Sequence, residues 1–438
     1  MKSKIVVVLF CTLLIATSIP VFGKNIDISI LKNDDDKINP LSSGDKWMVT
    51  YGGNKFDFGS QAIETSDGGY ITVGTTSSFG PGEEDVWLLK TDYKGRLEWE
   101  KYYGGEYDEF GNSIKQTADG GYIITGSTES YGNGRDDVWL IKTDELGEMV
   151  WDKTFGGTYF DHGSEVLVLD DGYVIVGGAD LTGGPRGDVL LLKTDFNGDL
   201  VWEKKFGGFG HNYGGSIDFT SDGGFIIVGT SYISDDTNYD FWLIKTDENG
   251  NLLWDEKFDN DAAEFGSDIQ ETSDDGFIIV GTSWYDNNNA HIVLIKTDED
   301  GSLEWKQVFS EFSLNQRGSS VAETADGGYI IAGYTYFDSI FSFNGLIIKT
   351  DNLGVEEWSH HLTNFGDDLF FSVEVTIDEG YIFTGYKKGG INPDLWLVKA
   401  DSNGNIPTCR NKNLFVYRLF NLFPNLYKII QKILGQYL

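Results

Sequence analysis

The stretch Trp99-Glu-Lys-Tyr-Tyr-Gly-Gly105 returns along the chain about every fifty-two residues, and this period decides the fold. Its tryptophan recurs as Trp47, Trp99, Trp151, Trp202, Trp254, Trp305 and Trp358. A turn built on Asp-Gly-Gly-Tyr places its aromatic residue at Tyr70, Tyr122, Tyr173, Phe225, Phe277, Tyr329 and Tyr381. A segment built on Lys-Thr-Asp places its lysine at Lys90, Lys142, Lys193, Lys245, Lys296, Lys349 and Lys399. Self-similarity at a fixed period indicates one supersecondary unit that is repeated, with each copy burying its faces against the next.

One unit, residues 111–157, contains four short runs that are typical of β-strands. Aromatic and β-branched residues fill the runs, and glycine and aspartate separate them. The predicted strands are Asn112–Thr117, Tyr122–Thr128, Asp137–Lys142 and Glu148–Phe155. The third run is nearly all apolar, as in a strand covered on both faces, and the repeats show no convincing helical period. Four short strands are the content of a propeller blade, and about four to eight blades usually close a ring.

The order of the units predicts how the ring closes. The first landmark, Trp47, belongs to the last strand of a unit whose other three strands are missing. The final unit supplies three strands, near Phe371–Thr376, Gly380–Tyr386 and Asp394–Ala400. It then stops at Ile406 without a tryptophan strand. We therefore predict an all-β fold of seven four-stranded blades, in which the N-terminal strand completes the seventh blade and removes the open sheet edges.

The repeats resemble three groups of known propellers. Their strand order and Asp-Gly turns are similar to those of WD-repeat propellers, although the Gly-His and Trp-Asp signatures are absent. The segment Lys245-Thr-Asp-Glu-Asn-Gly-Asn-Leu-Leu-Trp254 is similar to the tryptophan-docking motif of pyrroloquinoline-quinone propellers, in which the tryptophan packs between blades. Over residues 45–406 the unit most resembles the Asp-Gly-Gly-Tyr, Lys-Thr-Asp and Trp-x-Lys-x-Phe-Gly-Gly repeats of secreted bacterial and archaeal surface proteins. This resemblance implies a fold and an exported protein rather than an activity.

The two ends of the chain differ in composition from the repeats in residues 45–406. Residues 1–23 join a positive start to an apolar run and a small-residue cleavage position, which predicts a secretory signal peptide, with an uncleaved anchor as the alternative. Residues 24–44 form an acidic linker, and residues 407–438 form a basic amphipathic tail with a short C-terminal helix. Three roles stay open for the tail: binding to an anionic membrane surface, attachment to the cell envelope, and packing on the acidic propeller. We expect a secreted protein associated with the cell surface.

The charge balance restricts the partners. The chain has 33 lysine and arginine residues against 69 acidic residues, a formal net charge of -36. Such a surface repels phosphates, so we predict no nucleic-acid partner. Loops such as Asp195–Asp199 resemble part of a calcium loop but lack the remaining ligands. We therefore predict turns there, no metal site and no cofactor, with calcium as the one cation that the composition leaves open.

One face of the predicted disc collects aromatic and polar residues, because loops that enter the inner strand share it with loops between the second and third strands. The candidate ligand-binding residues on this face are Tyr107, Tyr131, His162, His211, Trp284 and Tyr285. Aromatic rings beside carboxylates suit stacking on sugar rings and equally suit a protein interface. One position of the repeat carries a carboxylate or an amide in most blades, and we predict that these side chains cap the loops. They are Asp57, Glu109, Asp161, Asn212 and Glu264.

The seven landmark lysines stand in apolar strands, where a lysine side chain would be buried. A cluster of seven would repel itself, so each lysine is expected to meet a local carboxylate or to reach solvent at the end of its strand. Repetition in every blade indicates a role in the architecture rather than in ligand binding.

Three classes of function fit these features. We favour a non-catalytic surface propeller that binds an extracellular glycan or protein. A glycoside-active enzyme would need two carboxylates across a cleft, and no pair stands out in the sequence. A quinoprotein-like oxidoreductase would need aromatic residues that stack on the cofactor and a metal site, which the sequence does not locate. No residue is therefore assigned as catalytic.

Overall fold

The computed structural model describes residues 46–180, 187–208, 210–232, 239–258, 263–286, 289–310, 315–337, 342–362, 367–389 and 391–407. In these ranges twenty-eight strands form seven antiparallel sheets of four strands each. Each sheet is one blade, in which an inner strand pairs with a second strand, the second with a third, and the third with an outer strand. The blades are numbered 1 to 7 by their inner strands. The predicted seven-bladed β-propeller is confirmed.

The strands are numbered in chain order and fall into four groups by their place in the blade. The inner strands are β2 (Asp57–Glu64), β6 (Glu109–Gln116), β10 (Asp161–Val168), β14 (Asn212–Phe219), β18 (Ala263–Glu271), β22 (Asn315–Glu323) and β26 (Asp368–Val375). The second strands are β3 (Tyr70–Thr76), β7 (Tyr122–Thr128), β11 (Tyr173–Asp180), β15 (Phe225–Tyr232), β19 (Phe277–Asp286), β23 (Tyr329–Phe337) and β27 (Tyr381–Lys387). The third strands are β4 (Asp85–Thr91), β8 (Asp137–Thr143), β12 (Gly187–Thr194), β16 (Tyr239–Thr246), β20 (Asn289–Thr297), β24 (Ser342–Thr350) and β28 (Asp394–Ala400). The outer strands are β5 (Leu97–Tyr103), β9 (Met149–Phe155), β13 (Leu200–Phe206), β17 (Leu252–Phe258), β21 (Leu303–Phe309), β25 (Glu356–Leu362) and β1 (Trp47–Tyr51).

Burial follows the place of a strand in its blade. Every residue of β7 and β8 is buried, because both faces of these strands pack on neighbouring blades. The outer strand β9 is exposed or half-buried throughout. In the core between blades 1 and 2, Val73 and Leu88 share one cluster with Ile114, Ile124 and Ile141. The apolar pattern of the third run therefore had the physical cause that the sequence predicted.

The inner strands begin earlier than the sequence pattern predicted. β6 starts at Glu109 rather than Asn112, and β26 starts at Asp368 rather than Phe371. A β-bulge lies three residues into β6, between Gly111 and Ser113. Because a bulge interrupts the alternation of faces, the two halves of the strand carry patterns that are out of phase, and only the second half stands out as a run.

The N-terminal strand closes the ring. β1 pairs antiparallel with β28, from Trp47 opposite Lys399 to Tyr51 opposite Leu395. It is thus the outer strand of blade 7, whose other three strands come from the end of the propeller. β2 of blade 1 packs against the strands of blade 7. The predicted closure by the strand at Trp47 is confirmed.

The recurring tryptophans lock each blade to the next one. Trp47 lies on Gly95 in the turn between β4 and β5, where an added Cβ would stand 2.5 Å from the indole ring. Gly95 also has a φ of 70°, which favours glycine. The indole N–H of Trp47 donates to the carbonyl oxygen of Tyr93 at 3.0 Å. The same contact of a ring with a turn glycine joins Trp99 to Gly147, Trp151 to Gly198, Trp202 to Gly250, Trp254 to Gly301, Trp305 to Gly354 and Trp358 to Gly404.

The landmark lysines form a second repeated contact, here called the lysine ring. Lys245 is buried, and its Nζ lies 2.8 Å from Asp222. It also donates to the Thr220 hydroxyl at 3.0 Å and to the Thr246 carbonyl oxygen at 3.4 Å. Hydrogen bonds from Lys245 and Thr220 hold the pKa of Asp222 at about 2. The other six pairs are Lys90–Asp67, Lys142–Asp119, Lys193–Asp171, Lys296–Asp274, Lys349–Asp326 and Lys399–Asp378. The expectation that each lysine meets a local carboxylate is confirmed.

The structure does not test the predictions for the terminal segments. The signal peptide (1–23), the acidic linker (24–44) and the basic tail beyond Pro407, with its C-terminal helix, lie outside the described residues and stay predictions. Within the described ranges, no helix combines the length and the apolar character that a membrane span requires.

Candidate functional site

Antiparallel four-stranded blades place two kinds of connection on opposite faces of the ring. The hairpin face carries the tight turns between inner and second strands, such as 65–69, and between third and outer strands, such as 92–96. The loop face carries the connections between second and third strands, such as 129–136, and those from one blade to the next, such as 104–108. The candidate ligand residues predicted from the sequence belong to the loop face.

The inner strands surround a central channel that carries charge. Lys115 of blade 2 interacts electrostatically with Glu165, Asp218 and Glu374, which belong to blades 3, 4 and 7. Side chains from four blades act on one another in this way because they approach the axis of the ring. Nζ of Lys115 lies 3.2 Å from Glu165, and the lysine side chain keeps 30% of its surface accessible. Solvent therefore reaches this charged part of the channel.

Burial governs the acid–base behaviour of the channel. Burial raises the pKa of Glu374 to about 7, although Lys115 opposes the shift. Burial also raises the pKa of Asp218 and of Asp268 to about 6. For Lys115, burial disfavours the charge, but the carboxylates led by Glu165 outweigh it and raise the pKa. The net charge in the channel therefore changes between about pH 5 and pH 8.

The channel carboxylates also connect neighbouring blades. Oε2 of Glu165 accepts a hydrogen bond from the Ile217 N–H at 3.2 Å, and Asp268 accepts one from the Val321 N–H at 2.9 Å. The partners are 52 and 53 residues apart, so each bond spans one repeat. These carboxylates hold blades together, and they were not predicted from the sequence because the bond depends on how consecutive blades meet.

At the loop-face end of the channel, one position of the inner strand differs from blade to blade. It is the residue before the bulge, and we call these seven residues the mouth ring: Phe58, Phe110, His162, Tyr213, Phe265, Arg317 and Leu369. Arg317 of blade 6 acts electrostatically on Tyr213 of blade 4 across blade 5, so both side chains approach the axis. Arg317 is exposed, Leu369 is buried, and the other five are half-buried.

The mouth ring has an apolar part and a polar part. On the apolar side, Phe58 of blade 1 packs edge-on against Phe371 of blade 7, with 5.8 Å between ring centroids. On the polar side, the guanidinium of Arg317 lies 5.1 Å from the ring centroid of Trp284 and beside the phenol of Tyr334. Burial raises the pKa of Tyr334, and the positive charge of Arg317 opposes that shift. The two sides therefore offer different chemistry to one ligand.

The two candidate histidines have different surroundings. His162 belongs to the mouth ring, where its imidazole covers Gly178, so that an added Cβ there would stand 2.6 Å from the ring. Burial lowers the pKa of His162, which is therefore neutral at pH 7. The ring of His211 packs 6.3 Å from that of Tyr232, and its backbone pairs with Gly187 at the start of β12. Only His162 lines the mouth.

The two candidate tyrosines of blade 2 lie in its loops. Tyr107 is 56% exposed, and its N–H donates to Ser130 Oγ at 2.9 Å. Tyr131 is 43% exposed, packs 5.5 Å from Trp139, and donates its hydroxyl to the Gly104 carbonyl oxygen at 3.0 Å. Ring contacts among the described residues do not join either tyrosine to the mouth ring. The structure thus separates these two candidates from His162.

The remaining candidates are neighbours in β19. Trp284 is half-buried and reaches the mouth through its contact with Arg317. Tyr285 follows it in the strand, but its side chain lies outside the described residues. Arg317 itself was not predicted. A comparison of the repeats could have found it, because it is the one cation at a position that is otherwise aromatic, histidine or leucine.

The recurring carboxylates cap the loops, as predicted. Glu109 is fully buried and accepts hydrogen bonds from the Gly105 N–H at 2.7 Å, the Ser130 N–H at 3.0 Å and the Thr128 hydroxyl at 2.9 Å. Its oxygens are therefore used by the protein itself. Across the described ranges, His, Cys, Asp and Glu side chains form no group of three or more placed to hold a metal ion.

No family model matches the chain, and no curated protein matches it significantly. Among solved structures, the chain is similar to the WD40 domain of Pan2 from Neurospora crassa, with 11% identity, a TM-score of 0.51 and coverage of 84% of this chain and 99% of that one. It also matches Sqt1 from Chaetomium thermophilum, with 12% identity, a TM-score of 0.46 and coverage of 84% and 86%. At such identities the likeness to Pan2 shows the fold alone. The resemblance to propellers is thus supported, whereas that to repeats of secreted surface proteins stays a prediction.

Proposed function

We propose that this protein is a non-catalytic binding propeller that holds an extracellular glycan at the mouth ring, on the loop face. The observation that carries the proposal is the group of half-buried aromatic side chains around the channel mouth, which four separate blades supply, together with Trp284 of blade 5. Half-buried rings keep one face available, and aromatic faces stack on the apolar faces of sugar rings. The phenols of Tyr213 and Tyr334 add hydrogen-bonding groups beside these faces.

A protein partner is the other ligand class that these side chains suit, because tyrosine, tryptophan and arginine are enriched at protein interfaces. A glycan is favoured because the rings surround the end of the central channel, so that one ligand can contact side chains from several blades. The secreted location and the attachment through the basic tail belong to this proposal, and they rest on the composition of residues 1–23 and 407–438.

One pair of acidic side chains on the loop face, Glu109 and Asp85, is not available for hydrolysis. A glycosidase needs two carboxylates that flank the scissile bond. Asp85 of blade 1 and Glu109 of blade 2 interact electrostatically, but both are fully buried. Glu109 is also saturated by loop N–H and hydroxyl groups.

A glycan array, probed with the purified protein and with three variants, tests the proposal. Trp284→Ala and Phe110→Ala should each lower the affinity for the bound glycans by about tenfold, the value of one aromatic stacking contact. Tyr93→Ala is the matched control, because this tyrosine is 50% exposed in a turn of the hairpin face. Unchanged binding by both mouth variants would contradict the proposed site, and turnover of a bound glycan would contradict the non-catalytic assignment.

A further inference from the structure

We infer that the ligand of the mouth ring is an acidic glycan, and that Arg317 binds the carboxylate of one of its sugar residues. This inference rests on the proposed function and adds the chemical class of the ligand. It depends on three properties of Arg317: its place in the mouth ring, its orientation by neighbouring rings, and its freedom from carboxylates in the described part of the chain.

Arg317 occupies a position of the mouth ring that carries no charge in the other blades at neutral pH. The equivalent side chains of the other blades are phenylalanine, tyrosine, histidine and leucine, so no packing requirement of the blade calls for a cation there. Arg317 is also the one exposed member of the mouth ring. A charged residue that replaces an aromatic one at a single equivalent position points to a ligand rather than to the fold.

The neighbours of Arg317 hold its guanidinium in place. Trp284 from blade 5 lies 5.1 Å from the guanidinium carbon, and Tyr334 stands beside it on the adjacent strand β23. A guanidinium stacked on an indole keeps its N–H donors at the edge, where they can meet a carboxylate in a bidentate pair. The arginine is thus ordered before the ligand arrives, which reduces the entropy that binding costs.

The ion pairs of the described chain leave Arg317 available. The landmark lysines are all paired with carboxylates of the hairpin face, and Arg96 lies 2.7 Å from Asp92. Among the described residues, by contrast, no ion pair includes Arg317, although the sequence contains 69 acidic residues. Arg317 therefore has no carboxylate partner among the described residues, and its guanidinium can pair with an external carboxylate.

The net charge of -36 opposes the approach of an anion. At physiological ionic strength the screening length is about 8 Å, so most of the surface carboxylates act weakly at the mouth. Short-range contacts with Arg317 and its aromatic neighbours then decide the binding. A ligand with one or a few carboxylates fits this balance better than a densely charged polymer.

The experiment uses an array that carries uronate- and sialate-containing glycans together with neutral glycans of similar size. We expect the protein to prefer acidic glycans, and Arg317→Gln to lose about tenfold to a hundredfold in affinity for them, the value of a charge-assisted hydrogen-bond pair. Arg317→Lys, which keeps the charge but not the planar fork, should recover part of that loss. Arg135→Gln is the matched control, because Arg135 also stacks on a ring of the loop face, that of Phe160, at 5.2 Å.

The outcomes separate this inference from the proposed function. Binding of neutral and acidic glycans with equal affinity, or an unchanged preference in Arg317→Gln, overturns the acidic ligand while a loss in Trp284→Ala still supports the glycan site. Binding to none of the glycans overturns both. Unchanged melting temperatures of the variants show that any loss of binding is local to the site.

Discussion

The lysine ring and the mouth ring are both built from seven equivalent positions. The lysine ring has the same residue in every blade, whereas the residues of the mouth ring differ from blade to blade. Every lysine of the lysine ring has an aspartate of the neighbouring turn at 2.8 to 3.0 Å. The mouth ring, in contrast, contains phenylalanine, tyrosine, histidine, arginine and leucine. Where the partner lies in the neighbouring turn of the same blade, the same residue type occurs in every blade. Where the side chain faces the channel mouth, no partner within the blade fixes the residue type, and the residue can be suited to a ligand. This difference separates architecture from function within one chain.

The largest expected effect comes from opening the propeller, because the lysine ring and the mouth ring both depend on a closed set of seven blades. A chain that begins at Gly53 lacks β1, so β28 becomes an open edge and Gly95 loses the ring of Trp47. Loss of one buried tryptophan side chain alone costs about 3–5 kcal/mol, so we expect the melting temperature to fall by more than about 10 °C or cooperative unfolding to disappear. Deletion of residues 24–44 alone is the control and should leave melting unchanged. A normal transition in the shorter chain would show that the ring does not depend on β1.

A smaller effect is expected at one member of the lysine ring. Lys245→Met keeps the length of the side chain but removes the ammonium from the Thr246 carbonyl oxygen and from Asp222, whereas the Thr220 hydroxyl keeps its hydrogen bond to Asp222. An unsatisfied buried polar group costs about 1–3 kcal/mol, which chemical denaturation would measure as a lower midpoint. Lys205→Met, at an exposed position of an outer strand, is the control. Equal midpoints for both variants would show that the repeated ion pair does not stabilise the blade.

The smallest effect concerns pH. The pKa of Glu374 is raised to about 7 and that of Asp218 to about 6, so the stability that their protonated forms contribute is complete below about pH 4 and is lost as the pH rises through 6 to 7. The pKa of Asp222 is lowered to about 2, so its contribution is present above about pH 4 and is lost as the pH falls through 2. The melting temperature should therefore be highest near pH 4 to 5 and should decline by a few degrees, roughly 2 °C or more, by pH 8.

A variant of the channel tests the cause of that decline. Glu374→Gln should flatten the fall between pH 5 and pH 8, because the amide does not ionise. Glu248→Gln removes the same charge at an exposed turn and should leave the decline as in the unaltered protein. Equal pH profiles for the two variants would assign the decline to general repulsion instead of to the channel.

The fold could be predicted from the sequence because the residues that determine each blade recur in every repeat. Each blade contains its own turn glycines, apolar strands and landmark tryptophan, so the blade and the closure at Trp47 follow from the position of each landmark in its unit. The partners of Lys245 and Glu109 were also predictable, since they lie in the same or an adjacent hairpin or loop. The start of β6 was not, because the bulge at Gly111 hides the first half of the strand.

The site could be predicted only in part. His162 and Trp284 were named on the correct face, but their relation to the axis depends on how seven blades are arranged around it. Arg317 was missed because it is unremarkable in its own repeat and becomes informative only beside the equivalent residues. Tyr107 and Tyr131 were named because their loops lie on the same face as the channel mouth, but both side chains stand in loops of blade 2 away from the mouth ring.

Parallel measurement of stability and glycan binding in Lys245→Met and Trp284→Ala tests the separation of architecture from function most directly. We predict that Lys245→Met lowers the denaturation midpoint and binds glycans like the unaltered protein at a temperature where it is folded. Trp284→Ala should change the free energy of unfolding by no more than about 1 kcal/mol, as expected for a half-buried residue outside the core clusters. It should lower the affinity for glycans by about tenfold. A loss of stability without a loss of binding in Trp284→Ala, or a loss of binding in folded Lys245→Met, would contradict the account.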